Sequence, residues 1–164
     1  VKVLEEKGYQ FEGGEASFEL LIREALGEYK PAFELKGFRI LTDANALNEI
    51  TTEATIKVAV DGVESHTAAN GNGPVEALDN AIRKALYKFY PELKDLQLSD
   101  YKVRVIDEKA GTGAKVRVLI DHTHNGKHYG TVGVSENIIE ASWNALVDGI
   151  EYMLLSKQKE ERER

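Results

Sequence analysis

The chain of 164 residues has no cysteine, one tryptophan, one methionine and three prolines. The missing thiols exclude disulfides, cysteine nucleophiles and thiolate metal sites, and they suit a reducing, cytoplasmic setting. No apolar run approaches the roughly 18–20 residues that a membrane-spanning helix needs, and no signal-peptide pattern is present. Positive charge is short as well: 21 Lys and Arg stand against 28 Asp and Glu, for a formal net charge of −7. Nucleic acid and anionic membrane surfaces recruit clustered Lys and Arg, so neither is expected as a partner. There is no nucleophile–base pair, phosphate loop or dinucleotide fingerprint, which disfavours an independent small enzyme. With 42% apolar residues, the chain can still bury one domain-sized core.

What the chain does have is a repeat. Residues 54–61 (Ala-Thr-Ile-Lys-Val-Ala-Val-Asp) read as a near copy of 114–121 (Ala-Lys-Val-Arg-Val-Leu-Ile-Asp). A second extended stretch, a tight polar turn and a long amphipathic helix follow each copy, and Asn80-Ala81 matches Asn144-Ala145. Duplication of this kind predicts two similar units about a pseudo-twofold axis, with matching loops side by side. The expected fold is α+β: two βββα units, antiparallel sheets backed by helices, preceded by a short helical linker.

Val3-Leu4-Glu5-Glu6-Lys7-Gly8 reads as a last helical turn stopped by glycine, and the chain opens on Val1 rather than Met. Both suggest a piece of a longer protein. Gly13-Gly14 is expected to hinge, residues 15–26 to form a helix ended by Gly27, and 1–30 to be a linker docked on a domain of 31–164. Unit one spans 32–90, with strands at 33–42, 52–60 and 63–69 and a polar loop at 43–51. Asp61-Gly62 is its hairpin turn, and its helix at 74–89 carries Leu78, Ala81, Ile82, Ala85, Leu86 and Phe89 at 3–4 spacing. Unit two spans 96–156. Its first strand carries Tyr101, Val103 and Val105, and further strands lie at 114–122 and 127–134 around Asn125-Gly126. Its helix at 136–155 buries Ile139, Trp143, Leu146, Ile150 and Leu154, and the charged tail 157–164 is expected to fray.

Gly71-Asn72-Gly73-Pro74 carries the most chemistry. Proline suits a first helical turn, where its missing N–H has no partner, and Asn72 or Gly73 can take the cap position. The glycines permit positive φ or close approach. Free N–H groups with partial positive charge make such a helix start a carboxylate site. Glu76, in the first turn, could hold an ammonium beside it, so that the pair grips both ends of a free amino acid. A plain helix start with a dipole-stabilising glutamate accounts for the same residues. The second corner, Gly133-Val134-Ser135-Glu136-Asn137, places Ser135 as cap. His122, His124 and His128 invite a metal reading, but no acidic ligand completes the set, and an exposed hairpin is the simpler expectation. Trp143 and the tyrosines read as core. Asp100, Asp107 and Asp121 read as turn or strand-end residues.

The same residues carry a family likeness. Gly8-Tyr9-Gln10-Phe11-Glu12 and Glu15-Ala16-Ser17-Phe18-Glu19-Leu20-Leu21 resemble the linker of citramalate synthases. Three further runs resemble the C-terminal regulatory, LeuA-type domain of the 2-isopropylmalate/citramalate synthase superfamily. They are Gly71 through Asn80, Asp100-Tyr101-Lys102-Val103-Arg104-Val105, and Gly133 through Ser142. The likeness covers nearly the whole chain.

It implies a domain that dimerises, binds an end-product branched-chain amino acid and inhibits acetyl-CoA condensation in a separate catalytic barrel. Isoleucine is the first expectation and leucine the second. The barrel would hold a divalent metal through a His-x-His motif, which His122-Thr123-His124 is not, so no cofactor is expected in this chain. Carried over by position, Gly71, Asn72, Gly73, Val75, Glu76, Tyr101, Ala114, Val116, Ser135 and Asn137 would line the effector pocket. Val75, Val103 and Val116 would face the effector side chain. One departure from the family pattern is Ser135, where many relatives have proline. The alternative is a structural dimerisation module without a ligand.

Overall fold

A computed structural model describes residues 13–106 and 114–164. The expected helix end at 3–8, the linker run 8–12 and the loop 107–113 with Asp107 lie outside the described residues. In chain order the elements are α1 (Glu15–Ala25), β1 (Glu34–Ala44), β2 (Ile50–Val60), β3 (Val63–Gly71), α2 (Pro74–Leu86), a 3-10 turn (Pro91–Asp95), β4 (Leu96–Val105), β5 (Val116–His124), β6 (Lys127–Ser135) and α3 (Ile138–Arg162). The strands form two antiparallel three-stranded sheets, β1-β2-β3 and β4-β5-β6. This is the α+β, twice-βββα architecture that the patterning implied. Two compact units result: residues 31–94, and α1 with its flanks together with the chain from 95 onward.

Each unit is built from alternation on a strand meeting 3–4 spacing on a helix. In the first, Ala54, Ile56 and Val58 are fully buried on one face of β2, against Leu78, Ala81, Ile82, Ala85 and Leu86 of α2. In the second, Val118 and Ile120 of β5 meet Ala141, Leu146 and Ile150 of α3. Trp143, 6% exposed, belongs to this core, as expected. Both hairpins turn on two residues of positive φ, Asp61 (49°) and Gly62 (81°), then Asn125 (49°) and Gly126 (77°).

These turns correct the register of the repeat. They lie 64 residues apart (61 to 125), not the 60 that separate 54 from 114. Val58 pairs with Ser65 and His122 with Tyr129, so the counterpart of 54–60 is 118–124. Asp61 sits in its turn, whereas Asp121 lies inside β5 opposite Gly130. A slip by an even number of residues leaves the apolar face of a strand in place, so alternation alone could not separate the two alignments. Other features share the corrected spacing. Thr67 Oγ1 donates to the Ala81 carbonyl at 2.9 Å, and Thr131 Oγ1 to that of Ala145 at 2.8 Å. Each first strand also carries a bulge, between Leu35 and Gly37 and between Leu98 and Asp100, though these stand 63 residues apart (35 to 98) rather than 64.

Several boundaries differ from expectation. β1 and β2 pair out to Ala44 and Ile50, which shrinks the polar loop to 45–49. Asn45 Oδ1 braces that loop by accepting from Leu47 N (2.9 Å) and Glu49 N (3.0 Å). α2 stops at Leu86, whose carbonyl takes both Phe89 N and Tyr90 N, leaving Phe89 outside the helix. α3 runs on to Arg162, so the charged tail is helical and not frayed through most of its length. Gly13-Gly14 docks rather than hinges: Gly14 is buried against Val132, with no room for a side chain. Behind it, Ser17 Oγ accepts from Val132 N at 2.9 Å, closing the free edge of β6.

Candidate functional site

The two helix starts are built differently. At α2, Gly71 ends β3 so close to the helix that a methyl group would strike the backbone of Ala77. Close approach, not positive φ, is what requires glycine here, because neither Gly71 nor Gly73 has a left-handed backbone. Gly73 is the cap residue, extended (φ −168°, ψ 177°), and its carbonyl takes Ala77 N at 3.0 Å. No side chain caps this helix, Pro74 lies in its first turn, and open space surrounds the position a Gly73 side chain would take. Asn80 Nδ2 donates to the Asn70 carbonyl at 3.0 Å, fixing the incoming chain. Asn72 and Glu76 are exposed, and Val75 is half-buried. The result is a helix start whose first main-chain donors have no side-chain cap, beside a solvent-facing carboxylate. One turn on, Arg83 grips Asp79 through Nε at 3.0 Å. Burial raises the Asp79 pKa, and the Arg83 charge opposes the rise.

At α3 the donors are already taken. Asn137 is the cap, and its Oδ1 accepts from Ile139 N (2.8 Å) and Glu140 N (3.3 Å). Ser135, expected to cap, instead ends β6 and accepts from Asn137 N at 3.0 Å. Asparagine at 137 is as good a cap as serine and lies directly before the first helical residue, so the helix begins two residues later than expected.

Gly71, Asn72, Gly73, Val75 and Glu76 thus form one contiguous corner of the first unit. Tyr101, Val103, Ala114, Val116, Ser135 and Asn137 belong to the second unit. There, Val116 pairs with Ser135 across β5 and β6, and Val103 pairs with Val118. Ala114 is buried, and Val103 is 38% exposed on the edge strand. Tyr101 is held by a residue the sequence reading passed over. Its hydroxyl lies 3.1 Å from Ser142 Oγ, and Ser142 donates to the Ile138 carbonyl at 2.7 Å. The proton count therefore makes Tyr101 the donor to Ser142. The available signal was a serine on the buried stripe of an amphipathic helix.

The histidines need one correction. His122 is not part of an exposed hairpin: it is 2% exposed, and its Nε2 lies 2.9 Å from Thr131 Oγ1. His128 is exposed and bonds to Thr123 Oγ1 at 3.0 Å. Among the described residues no group of three or more His, Asp and Glu could hold a metal. No described helix is long and apolar enough to cross a membrane.

The fold is a duplicated βββα module, and the start of its α2 helix is open and flanked by an exposed acid. Residues 12–154 match the family model described as the LeuA allosteric (dimerisation) domain, and the chain belongs to that family. It is 55% identical to the (R)-citramalate synthase of Aquifex aeolicus over 98% of this chain and 30% of that protein. It is 54% identical to the (R)-citramalate synthase of Geobacter sulfurreducens over 94% of this chain and 29% of that protein. A 2-isopropylmalate synthase of Shewanella frigidimarina is 30% identical over 78% of this chain and 22% of that protein. The chain thus spans less than a third of the length of these relatives.

Proposed function

We propose that this domain binds a free branched-chain amino acid, isoleucine ahead of leucine. Its occupancy would inhibit an acetyl-CoA-condensing synthase that carries it, forming citramalate or 2-isopropylmalate. The observation that supports this reading is the start of α2: main-chain donors with no side-chain cap, next to the exposed Glu76. In the proposed complex, the ligand carboxylate takes the N–H groups after Gly73, and the Glu76 carboxylate takes the ammonium. Asn137 occupies the equivalent donors of α3, so the carboxylate belongs at α2 and not at both helix starts. Val75 offers apolar surface to the ligand side chain. Tyr101, Val103, Ala114, Val116, Ser135 and Asn137 stay in the proposed effector set on the strength of the family likeness, each open to substitution.

The domain would work as a cytoplasmic homodimer attached to the catalytic domain of its own chain, which would supply the divalent metal and the chemistry. A ligand this small has few atoms to bind with, so its affinity should be modest, about micromolar to sub-millimolar. A purely structural dimerisation module is the competing account.

Glu76→Gln separates the two. If the carboxylate pairs with the ammonium, its loss should weaken binding by about 2–5 kcal/mol, at least roughly thirtyfold. Folding should change by less than about 1 kcal/mol, the worth of a first-turn glutamate. Calorimetry with isoleucine and leucine, beside a melting curve, reads both. Affinity within about twofold of the parent, set against that expected loss, would reduce Glu76 to a helix-dipole residue.

A further inference from the structure

The duplicated cores part company at one cluster. Val58, Ser65 and Ala85 of the first unit correspond to His122, Tyr129 and Gly149 of the second. Thr131 gives its proton to the Ala145 carbonyl, so His122 donates to it from Nε2, which sets the tautomer. The imidazole lies over Gly149, where a methyl group would collide with the ring, and stacks on Tyr129 at 5.2 Å. Tyr129 donates to the Gly149 carbonyl at 2.7 Å and meets the Tyr152 ring at 4.7 Å. The exchange of a small hydroxyl for a tyrosine builds an aromatic wall that the first unit lacks.

That wall borders a groove of about 380 Å³ between the β5–β6 turn and the last turns of α3. The groove exists because α3 continues to Arg162, whereas α2 stops at Leu86, the counterpart of Ile150. The turn supplies His124, Lys127 and His128; the helix supplies Tyr152, Lys157 and Glu160. In an acidic chain this rim holds two lysines against one carboxylate. Lys127 Nζ and Glu160 Oε1 meet across the mouth at 3.0 Å, both well exposed, and an exposed pair of this kind is weak and exchangeable.

We propose that this groove is a small-molecule site distinct from the start of α2, for an anion carrying a planar ring, in the class of nucleoside monophosphates. The tyrosine wall gives the ring a face to stack on, and stacking tolerates any base. Lys127 serves the phosphate as a point charge, with Glu160 displaced from it as the anion enters. The volume falls within the roughly 300–1,000 Å³ of small-ligand sites.

The test is backbone amide NMR of the 164-residue chain titrated with AMP. Adenosine and inorganic phosphate, added alone, are the controls. AMP should give saturable shifts confined to 127–129 and 152–160, with each control at least about tenfold weaker. Lys127→Ala should weaken AMP about fivefold, and Glu160→Gln, which removes the competing anion, should tighten it about twofold. Both sites are surface positions, so neither change threatens the fold. No saturable shift by about 5 mM AMP would overturn the proposal, that being weaker than functional small-ligand sites bind. Shifts centred elsewhere, or both variants moving affinity in the same direction, would overturn it as well.

Discussion

The first unit covers its sheet with a helix of 13 residues capped by glycine, and the second with one of 25 residues capped by asparagine. Each unit has one free strand edge next to its helix, and each blunts it differently. Lys84 Nζ reaches the Ala68 carbonyl at 3.2 Å and Asn80 reaches that of Asn70 at 3.0 Å, so α2 guards β3 with its own side chains. In the second unit the guard is α1, through Ser17 on Val132. The duplication kept what any such unit needs: two-residue turns, an edge-strand bulge, and a threonine tying strand to helix. It varied the helix start, the helix length and one core cluster. Those are the places where a function carried by only one half has to sit.

The strongest way to break this comparison is to push the second core toward the first. Gly149→Ala places a methyl against the His122 ring and should cost about 2–3 kcal/mol, read by denaturant unfolding. Adding His122→Val restores the arrangement of Val58 with Ala85 and should recover at least half of that loss. A double variant no more stable than the single one would show that the correspondence at a spacing of 64 residues is wrong.

A somewhat smaller effect separates the units by pH, because in the second a part-buried acid, Asp148, meets Ser17 of α1. Burial pushes the Asp148 carboxyl up to about 6; a hydrogen bond from Ser17 opposes the rise and the nearby Glu24 charge adds to it. Its folded pKa lies above the ordinary carboxylate value, so the folded state holds the proton more tightly than the unfolded chain does. The resulting stability is fully present below about pH 4 and is lost as pH rises through about 6. Asp148→Asn keeps an acceptor for Ser17 and should raise stability at pH 7–8 by about 1–2 kcal/mol, with little gain at pH 4. An equal gain at both pH values would show that Asp148 is not the titrating group. Close by, burial and the Glu151 side chain push the Tyr29 hydroxyl up, so Tyr29 stays protonated throughout this range.

The smallest effects sharpen the contrast between helix starts. Asn137→Ala should cost about 1 kcal/mol, the worth of a good cap. Gly73→Asp should stabilise by only about 0.3 kcal/mol, since glycine is already a tolerable cap, yet its carboxylate fills the donors offered to the effector. Melting temperature and amino-acid affinity should therefore move in opposite directions for Gly73→Asp. Unchanged affinity would detach the α2 start from ligand binding.

Local pattern settled much of this protein. The alternation of Ala54, Ile56 and Val58, the Asp61-Gly62 and Asn125-Gly126 turns, and the 3–4 spacing from Leu78 to Leu86 each depend on neighbours a few residues away. The order of elements was therefore legible from the chain, as were Gly71-Asn72-Gly73-Pro74 as a helix start and the presence of a duplication. Tertiary structure decided the rest. The paired strands settled the register of the repeat, which alternation leaves open because an even slip preserves the buried face, although the two turns already stood 64 residues apart in the chain. Asn137 rather than Ser135 became the cap because the cap is whichever polar side chain stands at the first departure from helical backbone, and the path of β6 sets that point. His122 turned inward because Gly149, 27 residues on, leaves a gap the width of an imidazole, and Tyr101 reached Ser142 by a hydrogen bond between side chains 41 residues apart. Contacts such as these join residues far apart in sequence, and no periodicity along the chain records them.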